Sequence, residues 1–114
     1  MDYKRINNEI IKFADERNWD QFHTPKNLAM ALSVEASELV EIFQWKESTD
    51  FDDRKTLQAA EEELSDIFYY TVRMCQKLDI NLEEAFHRKM IKNRKKHPAG
   101  KVKGKLPNDS SQVD

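Results

Sequence analysis

Glycine and proline are nearly absent from most of this 114-residue chain. Both glycines, Gly100 and Gly104, stand near the C-terminal end, and Pro25 is the only proline before Pro98. Tight β-turns and glycine-rich phosphate-binding loops depend on these residue types. Their scarcity therefore argues against a glycine-loop nucleotide site and favours helices joined by short polar links.

Cysteine and long apolar segments are also scarce. The single cysteine, Cys75, excludes a disulfide framework and is typical of a reducing compartment. No apolar run approaches the roughly 18–20 residues that a membrane span needs. The first residues show no apolar core of a secretory signal. We therefore expect a cytoplasmic protein without a membrane partner.

The charges divide the chain into two unlike parts. The formal net charge is −2, but residues 1–87 contain 10 basic and 19 acidic side chains, a balance of −9. Residues 88–114 contain 9 basic and 2 acidic side chains, a balance of +7. Binding to duplex DNA requires a basic face that displaces counterions. The acidic body therefore argues against nucleic acid as a partner.

The apolar spacing predicts an all-α fold with four helices. Three of the predicted helices start after a side chain that can accept from free backbone N–H groups: Thr24, then Asp52 or Asp53, then Asn81. Glu84, three residues after Asn81, completes the pattern of a capping box. The predicted helices span about residues 2–17, 25–46, 53–78 and 82–97.

Residues 1–97 are predicted to form one helical bundle domain, and residues 98–114, with almost no apolar content, a flexible basic tail. So small a bundle buries a modest fraction of its surface, and such domains often gain stability by oligomerising. An apolar set also lies off the main stripes of the helices; it comprises Phe43, Leu57, Phe68 and Cys75. A second apolar face indicates packing against another subunit, although a wide intramolecular core is the alternative.

Four acidic side chains occupy helix positions where apolar residues are expected. At about 100° per residue, Glu35 lies in the middle of the apolar stripe of the second helix, with Glu38 about 60° to one side. Glu63 and Asp66 repeat this arrangement on the third helix. The stripe residues are Leu28, Ala31, Leu39 and Ile42 on the second helix, and Thr56, Ala59, Ile67, Tyr70 and Met74 on the third.

Inward carboxylates need a compensating partner, because a lone buried charge is costly or becomes protonated. The two stripes contain almost no Arg or Lys, which leaves shared protons or a bound divalent cation. An all-oxygen ligand set suits Mg²⁺ or Mn²⁺ more than zinc. Solvated carboxylates at the stripe edge are one alternative. A di-iron bundle is another, but it needs two Glu-x-x-His motifs, and only Glu84-x-x-His87 is present.

Two acidic motifs, Glu35-x-x-Glu38 and Glu63-x-x-Asp66, are separated by 24 residues. This pattern resembles the E-x-x-E…E-x-x-D signature of the MazG-like all-α nucleoside triphosphate pyrophosphohydrolases. The resemblance covers about residues 5–105 in collinear order and is closest to the dCTP pyrophosphatase branch. Four blocks carry it: Glu16-Arg-Asn-Trp-Asp-Gln-Phe-His-Thr-Pro-Lys-Asn-Leu28, Glu38-Leu-Val-Glu-Ile-Phe-Gln-Trp-Lys46, Glu62-Glu-Leu-Ser-Asp66 and Lys89-Met-Ile-Lys-Asn-Arg94.

The resemblance implies hydrolysis of a nucleoside triphosphate between its α and β phosphates, giving monophosphate and pyrophosphate. It implies a four-helix MazG-like bundle that forms a homodimer or homotetramer, with pockets between subunits. It also implies Mg²⁺, with Mn²⁺ as a substitute, bound by Glu35, Glu38, Glu63 and Asp66. Glu38 and Glu63 are the candidate catalytic residues, because one of the acids would orient or deprotonate the attacking water.

The same resemblance assigns the substrate contacts. They are Trp19, Trp45 and His23 at the nucleobase, Tyr70 near the sugar, and Lys89 with Asn93 on the phosphate side. Each of these rings has a structural alternative. Trp19 could anchor a loop, and Trp45 could be a core residue at a helix end. His23 could be a local group beside the Thr24 cap, and Tyr70 a core tyrosine. The tail lysines are either a basic flap over the triphosphate or a solubilising segment; they are Lys101, Lys103 and Lys105.

We therefore expect a nucleotide-pool house-cleaning hydrolase that favours dCTP or a modified dCTP. Ile10 stands where some dCTP-preferring relatives carry a polar pocket residue, and the tail lacks their Lys-Tyr ending. Both departures leave open a broad-specificity MazG-type hydrolase. A non-catalytic helical module that senses nucleotides is a third interpretation, but a scaffold gains little from unrelieved inward carboxylates.

Overall fold

The computed structural model describes residues 1–47 and 53–105, and every regular element within them is helical. The elements are α1 (Tyr3–Glu16), a 3-10 turn (Asp20–Phe22), α2 (Pro25–Phe43), α3 (Arg54–Leu78), α4 (Leu82–Lys96) and α5 (Ala99–Val102). The all-α prediction is confirmed. Two details differ from it, since α2 ends at Phe43 rather than near Lys46, and the link after α1 contains the 3-10 turn.

Capping side chains fix where three helices begin. Each accepts a hydrogen bond from the backbone N–H three residues further on, as predicted from their types: Thr24 (3.2 Å), Asp53 (3.0 Å) and Asn81 (3.1 Å). Pro25 occupies the first position of α2, where its missing N–H leaves no bond unmade. Asp52, the other candidate cap for α3, lies outside the described residues.

The chain divides into two compact units, residues 1–80 and residues 81 onward. In the first unit, α2 packs along α3, and α1 also packs on α3. Side chains from all three helices fill its core; they are Ile10, Ala14, Leu28, Ala60, Val72 and Cys75. The second unit contains α4 and, after Pro98, the single turn of α5. A basic last turn favourably opposes the partial negative charge at the C-terminal end of α4.

Cys75 requires a correction to the subunit-facing role that its helix position indicated. Its side chain is only 8% exposed and lies in the core of the first unit, and burial raises the pKa of its thiol. Burial, then the nearby Cys75 thiol, raises the pKa of Tyr3 on α1, and α1 packs on α3. Leu57 and Phe43 remain exposed, and Phe68 is half-buried.

The predicted tail contains one helical turn. Residues 99–102 form α5, with hydrogen bonds from the N–H groups of Lys101 and Val102 to the carbonyl of Pro98. Residues 106–114 lie outside the described residues, and the flexibility of the tail stays a prediction. Among the helices that the structure describes, none is long and apolar enough to cross a membrane.

Candidate metal centre and adjoining groove

The packed pair of helices α2 and α3 brings the predicted acidic ligands together. One carboxylate oxygen from each of Glu35, Glu63 and Asp66 lies within 4.8 Å of the other two. Glu35 and Glu63 are half-buried, whereas Asp66 is exposed. Glu38, one turn along α2, is exposed. Three of the four acids that the helical wheel identified therefore converge, with Glu38 one turn along α2, and their binding of a metal stays a proposal.

Two oxygens of this cluster are buried without compensation. Oε2 of Glu35 and Oε2 of Glu63 have no hydrogen-bond partner among the described residues. Among the described residues, the acids that form ion pairs are Asp20 and Glu84, not those of the cluster. In the metal-free protein a proton on Glu35 can be shared with Glu63; this bond, then burial and the neighbouring Glu38, raise the pKa of Glu35 to about 7. Carboxylate oxygens held close and unpaired fit a hard divalent cation, which would replace repulsion by coordination.

A shallow depression opens beside the cluster. It has a volume of about 340 Å³ and includes Glu38 and Glu63 in its wall. Glu41 and Glu62 are exposed and line the same depression. Their charges add to the negative potential at its mouth, which attracts cations. The wheel missed this effect because it treats each helix alone.

A larger groove of about 670 Å³ adjoins the cluster as well. Two acids of the cluster, Glu35 and Asp66, belong to its wall, together with Glu9, Trp19, Tyr70 and Ile10. Its size lies in the range of small-molecule sites, roughly 300–1,000 Å³, and such sites combine apolar walls with a few polar groups. The groove therefore joins an acidic end to an aromatic end.

Edge-to-face ring contacts connect the aromatic end to the acids. Ring centroids are 5.7 Å apart between Trp19 and Phe13, 5.8 Å between Phe13 and Tyr69, and 5.1 Å between Tyr69 and Tyr70. These are favourable geometries for aromatic pairs. Burial, then the charges of nearby acids, raise the pKa of Tyr70. Its hydroxyl therefore stays protonated at neutral pH and can donate a hydrogen bond beside the cluster.

The remaining predicted substrate residues are His23, Trp45, Lys89 and Asn93. His23 is half-buried after the 3-10 turn, and Trp45 is 89% exposed just after α2; neither belongs to the wall of the larger groove. Lys89 and Asn93 lie on α4 in the second unit. Lys89 is exposed, and Asn93 is half-buried with its Nδ2 donating to the sulfur of Met90 at 3.9 Å. Their substrate roles stay predictions.

A buried arginine, which the sequence patterns did not reveal, holds the loop that carries Trp19 and His23. Arg73 is 3% exposed and donates from Nη2 to Asp20 at 2.7 Å, from Nε to Nδ1 of His23 at 3.0 Å, and from Nη1 to Gln76 at 2.9 Å. Lys77 also donates to Asp20, at 2.7 Å. This network joins α3 to the 3-10 turn, so His23 has a structural contact whatever its role at the substrate.

The network also explains two perturbed acid–base groups. Hydrogen bonding to Lys77, with further attraction to Arg73, lowers the pKa of Asp20. Burial, followed by repulsion from Arg73, lowers the pKa of His23. The available signal was a single basic residue, Arg73, within the apolar stretch 67–75. Its partners are 50 and 53 residues away in sequence, so no local pattern could identify them.

Comparison with known proteins gives a consistent family. The model of the MazG-like family matches residues 30–105. The chain is 39% identical over 107 residues to mouse dCTP pyrophosphatase 1, and 39% identical over 102 residues to the human protein of the same name. These alignments cover 90% and 86% of this chain but 61% and 58% of the relatives. The chain thus spans about three fifths of the length of these curated relatives.

A solved structure agrees in fold and in extent. A pyrophosphatase from Archaeoglobus fulgidus is 39% identical to this chain and superposes with a TM-score of 0.76. The match covers 86% of this chain and 94% of the archaeal one. The helical arrangement is therefore shared with a protein of nearly the same length.

Proposed function

The chain belongs to the MazG-like family, and from this premise we propose that it is a nucleoside triphosphate pyrophosphohydrolase. The proposed reaction cleaves a deoxynucleoside triphosphate between its α and β phosphates and yields monophosphate and pyrophosphate. The names of the mouse and human relatives support dCTP, or a modified dCTP, as the favoured substrate. Removal of such nucleotides from the cytoplasmic pool is the proposed biological role.

The acidic cluster is the observation that carries this proposal. Buried, unpaired oxygens on Glu35 and Glu63 are unfavourable in the protein alone, because no described group compensates their desolvation. Replacing a buried ionic group by an apolar one is often neutral or stabilising. Their presence at the edge of a ligand-sized groove therefore supports a site that works with a metal ion, and it argues against a non-catalytic helical module.

We propose that Glu35, Glu63 and Asp66, with Glu38 beside them, hold Mg²⁺ or Mn²⁺. An ion held by these residues would supply positive charge opposite the phosphates and would favour deprotonation of the attacking water. Glu38 and Glu63 are the candidates to accept the proton of the attacking water as its oxygen bonds to phosphorus. The bridging oxygen then leaves with pyrophosphate. The exposure of Glu38 supports this role, since an exposed carboxylate can exchange the proton with solvent.

The aromatic end of the groove supports a nucleobase site. Trp19 and Tyr70 lie on its wall, and aromatic faces stack on bases. We propose that Tyr70 lies near the sugar, where its ring would disfavour a ribose 2′-hydroxyl. Trp45, His23, Lys89 and Asn93 complete the proposed substrate contacts by resemblance to the family. The apolar Ile10 on the same wall favours the alternative of broader base specificity.

Exposed apolar side chains support a homodimer or homotetramer. On α2 they include Met30 and Val34, one turn apart, and on α3 Leu57 and Leu64, two turns apart. Apolar residues at this spacing form a stripe on one helix face, and such stripes are usually covered. A second copy of the chain is the proposed cover, as the small core of the first unit also suggests.

The test is a product analysis with every dNTP and NTP in the presence of Mg²⁺. Monophosphate and pyrophosphate are the expected products, with dCTP or a modified dCTP cleaved fastest. Orthophosphate with a diphosphate would contradict cleavage between the α and β phosphates. Glu38→Ala and Asp66→Ala should each abolish turnover while the far-ultraviolet circular dichroism stays helical; activity in both variants would refute the metal-site assignment. An absence of turnover with every triphosphate would favour the interaction module.

A further inference from the structure

Arg73 is a buried cation that the proposed mechanism does not use. Two of its three hydrogen-bond acceptors belong to one loop, since Asp20 begins the 3-10 turn and His23 directly follows it. The third acceptor, Gln76, lies on α3 itself. A buried ion pair is weak evidence for stability, because well-packed apolar residues of similar volume often serve as well or better. The residues that Arg73 holds therefore indicate its role better than its burial does.

The turn that Arg73 holds presents Trp19 to the larger groove. Trp19 directly precedes the turn and lines the groove. The next residue, Asp20, accepts from both Arg73 and Lys77, each at 2.7 Å. The ring of His23 meets that of Trp19 edge-to-face, with centroids 6.4 Å apart. The residue that follows Trp19 and a ring that packs against it are therefore both bonded to Arg73.

The hydrogen bond from Arg73 also fixes the tautomer of His23. Arginine nitrogens only donate, so Nδ1 of His23 accepts the bond from Nε at 3.0 Å and cannot carry the ring proton. The neutral ring then has its proton on Nε2, where no described residue accepts it. The charged groups around the ring are Arg73 and Lys77 of α3 and Asp20 of the turn. Burial, then repulsion from Arg73, lowers the pKa of His23, which keeps the ring neutral at physiological pH.

We propose that Arg73 is a positioning residue of the nucleobase site, an inference that rests on the proposed function. Through Asp20 and His23 it holds the ring of Trp19 in place for stacking on a base, and a ring fixed in advance loses less freedom on binding. The fixed tautomer also offers Nε2–H of His23 as a donor to a carbonyl or ring-nitrogen acceptor of that base. None of the hydrogen bonds of Arg73 involves an acid of the cluster, so its effect is on binding rather than on the reaction at phosphorus.

Arg73→Met and Asp20→Ala test this inference, because they break the network from α3 and from the loop. With Mg²⁺ and the triphosphate that the wild type cleaves fastest, we expect each to raise KM by about tenfold, or about 1.4 kcal/mol, and to change kcat by less than about twofold. The double variant should have the KM of Arg73→Met alone, because both changes remove the same bond. The side chain of Asp20 is 57% exposed, so Asp20→Ala keeps the test valid even if Arg73→Met fails to fold. Gln76→Leu is the matched control, since it removes the acceptor on α3 and leaves both loop contacts; its KM should stay within about twofold of the wild type.

Nitrogen-15 NMR of histidine-labelled protein tests the tautomer without any turnover. At neutral pH the wild type should show His23 with a bare Nδ1 and a protonated Nε2. In Arg73→Met both tautomers should be populated, and the pKa of His23 should rise towards its ordinary value, because the donor to Nδ1 is lost. His23→Gln identifies the signal among the three histidines of the chain.

Four results would overturn the inference. They are an unchanged KM in Asp20→Ala and in a folded Arg73→Met, a loss confined to kcat, a proton on Nδ1 of His23 in the wild type, and an equal rise of KM in Gln76→Leu, which would show a general loss of packing. If the wild type itself cleaves no triphosphate, the proposed function fails first, which the wild-type assay detects separately from the NMR measurement.

Discussion

Glu35→Gln should make the metal-free protein more stable, although it removes a group of the proposed centre. Two like charges about 4 Å apart repel by about 1 kcal/mol in water and about 4 kcal/mol at the effective dielectric of a protein surface. Oxygens of Glu35, Glu63 and Asp66 lie within 4.8 Å of one another. Because Glu35 is half-buried, we expect a gain of about 1–2 kcal/mol at pH 8, or a melting temperature higher by about 3–8 °C.

Saturating Mg²⁺ should reverse this order. A ligand at one hundred times its dissociation constant stabilises the folded state by about 2.7 kcal/mol. The wild type should receive this stabilisation. The amide introduced by Glu35→Gln presents one acceptor oxygen and no charge, so the variant should bind Mg²⁺ weakly and gain little. The variant would then melt above the wild type in EDTA and below it in Mg²⁺.

The assay is calorimetry or dye-based melting at pH 8, with EDTA and with a series of MgCl₂ concentrations. Glu61→Gln is the matched control, because Glu61 is an exposed acid of α3 that lines neither the groove nor the depression. We expect the control to melt within about 2 °C of the wild type in both buffers. A Glu35→Gln variant that melts lower in EDTA, or that gains as much from Mg²⁺ as the wild type, would refute the reasoning.

Three further predictions concern pH, the buried arginine and the exposed tryptophan. The folded-state pKa of Glu35 is about 7, against an ordinary 4.5. Its contribution to the stability of the metal-free protein is therefore full below about pH 4.5 and is lost as the pH rises through about 7. Calorimetry with EDTA over this pH range should show the fall in stability, and Glu35→Gln should flatten it. Arg73→Met should lower the free energy of unfolding by about 2–4 kcal/mol, because it leaves the half-buried partners His23 and Gln76 without their donor. Arg73→Lys, which cannot reach every partner, should lose less. Chemical denaturation measures both, and an unchanged Arg73→Met would contradict the structural role. Trp45→Ala should raise the KM for the triphosphate but change the free energy of unfolding by less than about 0.5 kcal/mol. Trp19→Ala, which loses a ring contact, should lower the melting temperature. A destabilised Trp45→Ala variant with a normal KM would contradict the substrate role of Trp45.

Helix periodicity was enough to predict most of the fold and the acidic cluster. Capping side chains fixed three helix starts, because a cap acts on N–H groups only two or three residues away. The apolar stripe around Glu35 was predicted to be buried, since a stripe must pack against some other element, and Glu35 meets the acids of α3. Glu63 follows the same reasoning on α3. Because each of the two apolar stripes has an acid at its middle, the cluster could be predicted without any knowledge of tertiary contacts.

Contacts between distant segments were beyond this reasoning. Arg73 pairs with Asp20 and His23 across 53 and 50 residues, and the charge of Arg73 alone gives no partner. Cys75 was assigned to a subunit-facing surface because a wheel of α3 cannot show that α1 packs on this helix.

The most direct test of the central claim is a phosphorus-31 NMR time course of dCTP with the protein and Mg²⁺ in half-labelled oxygen-18 water. The triphosphate resonances should be replaced by those of monophosphate and pyrophosphate. EDTA should stop the change, and Asp66→Asn should be inactive while still folded. Appearance of orthophosphate and a diphosphate, or turnover that continues in EDTA, would contradict a carboxylate-held metal centre that cleaves between the α and β phosphates.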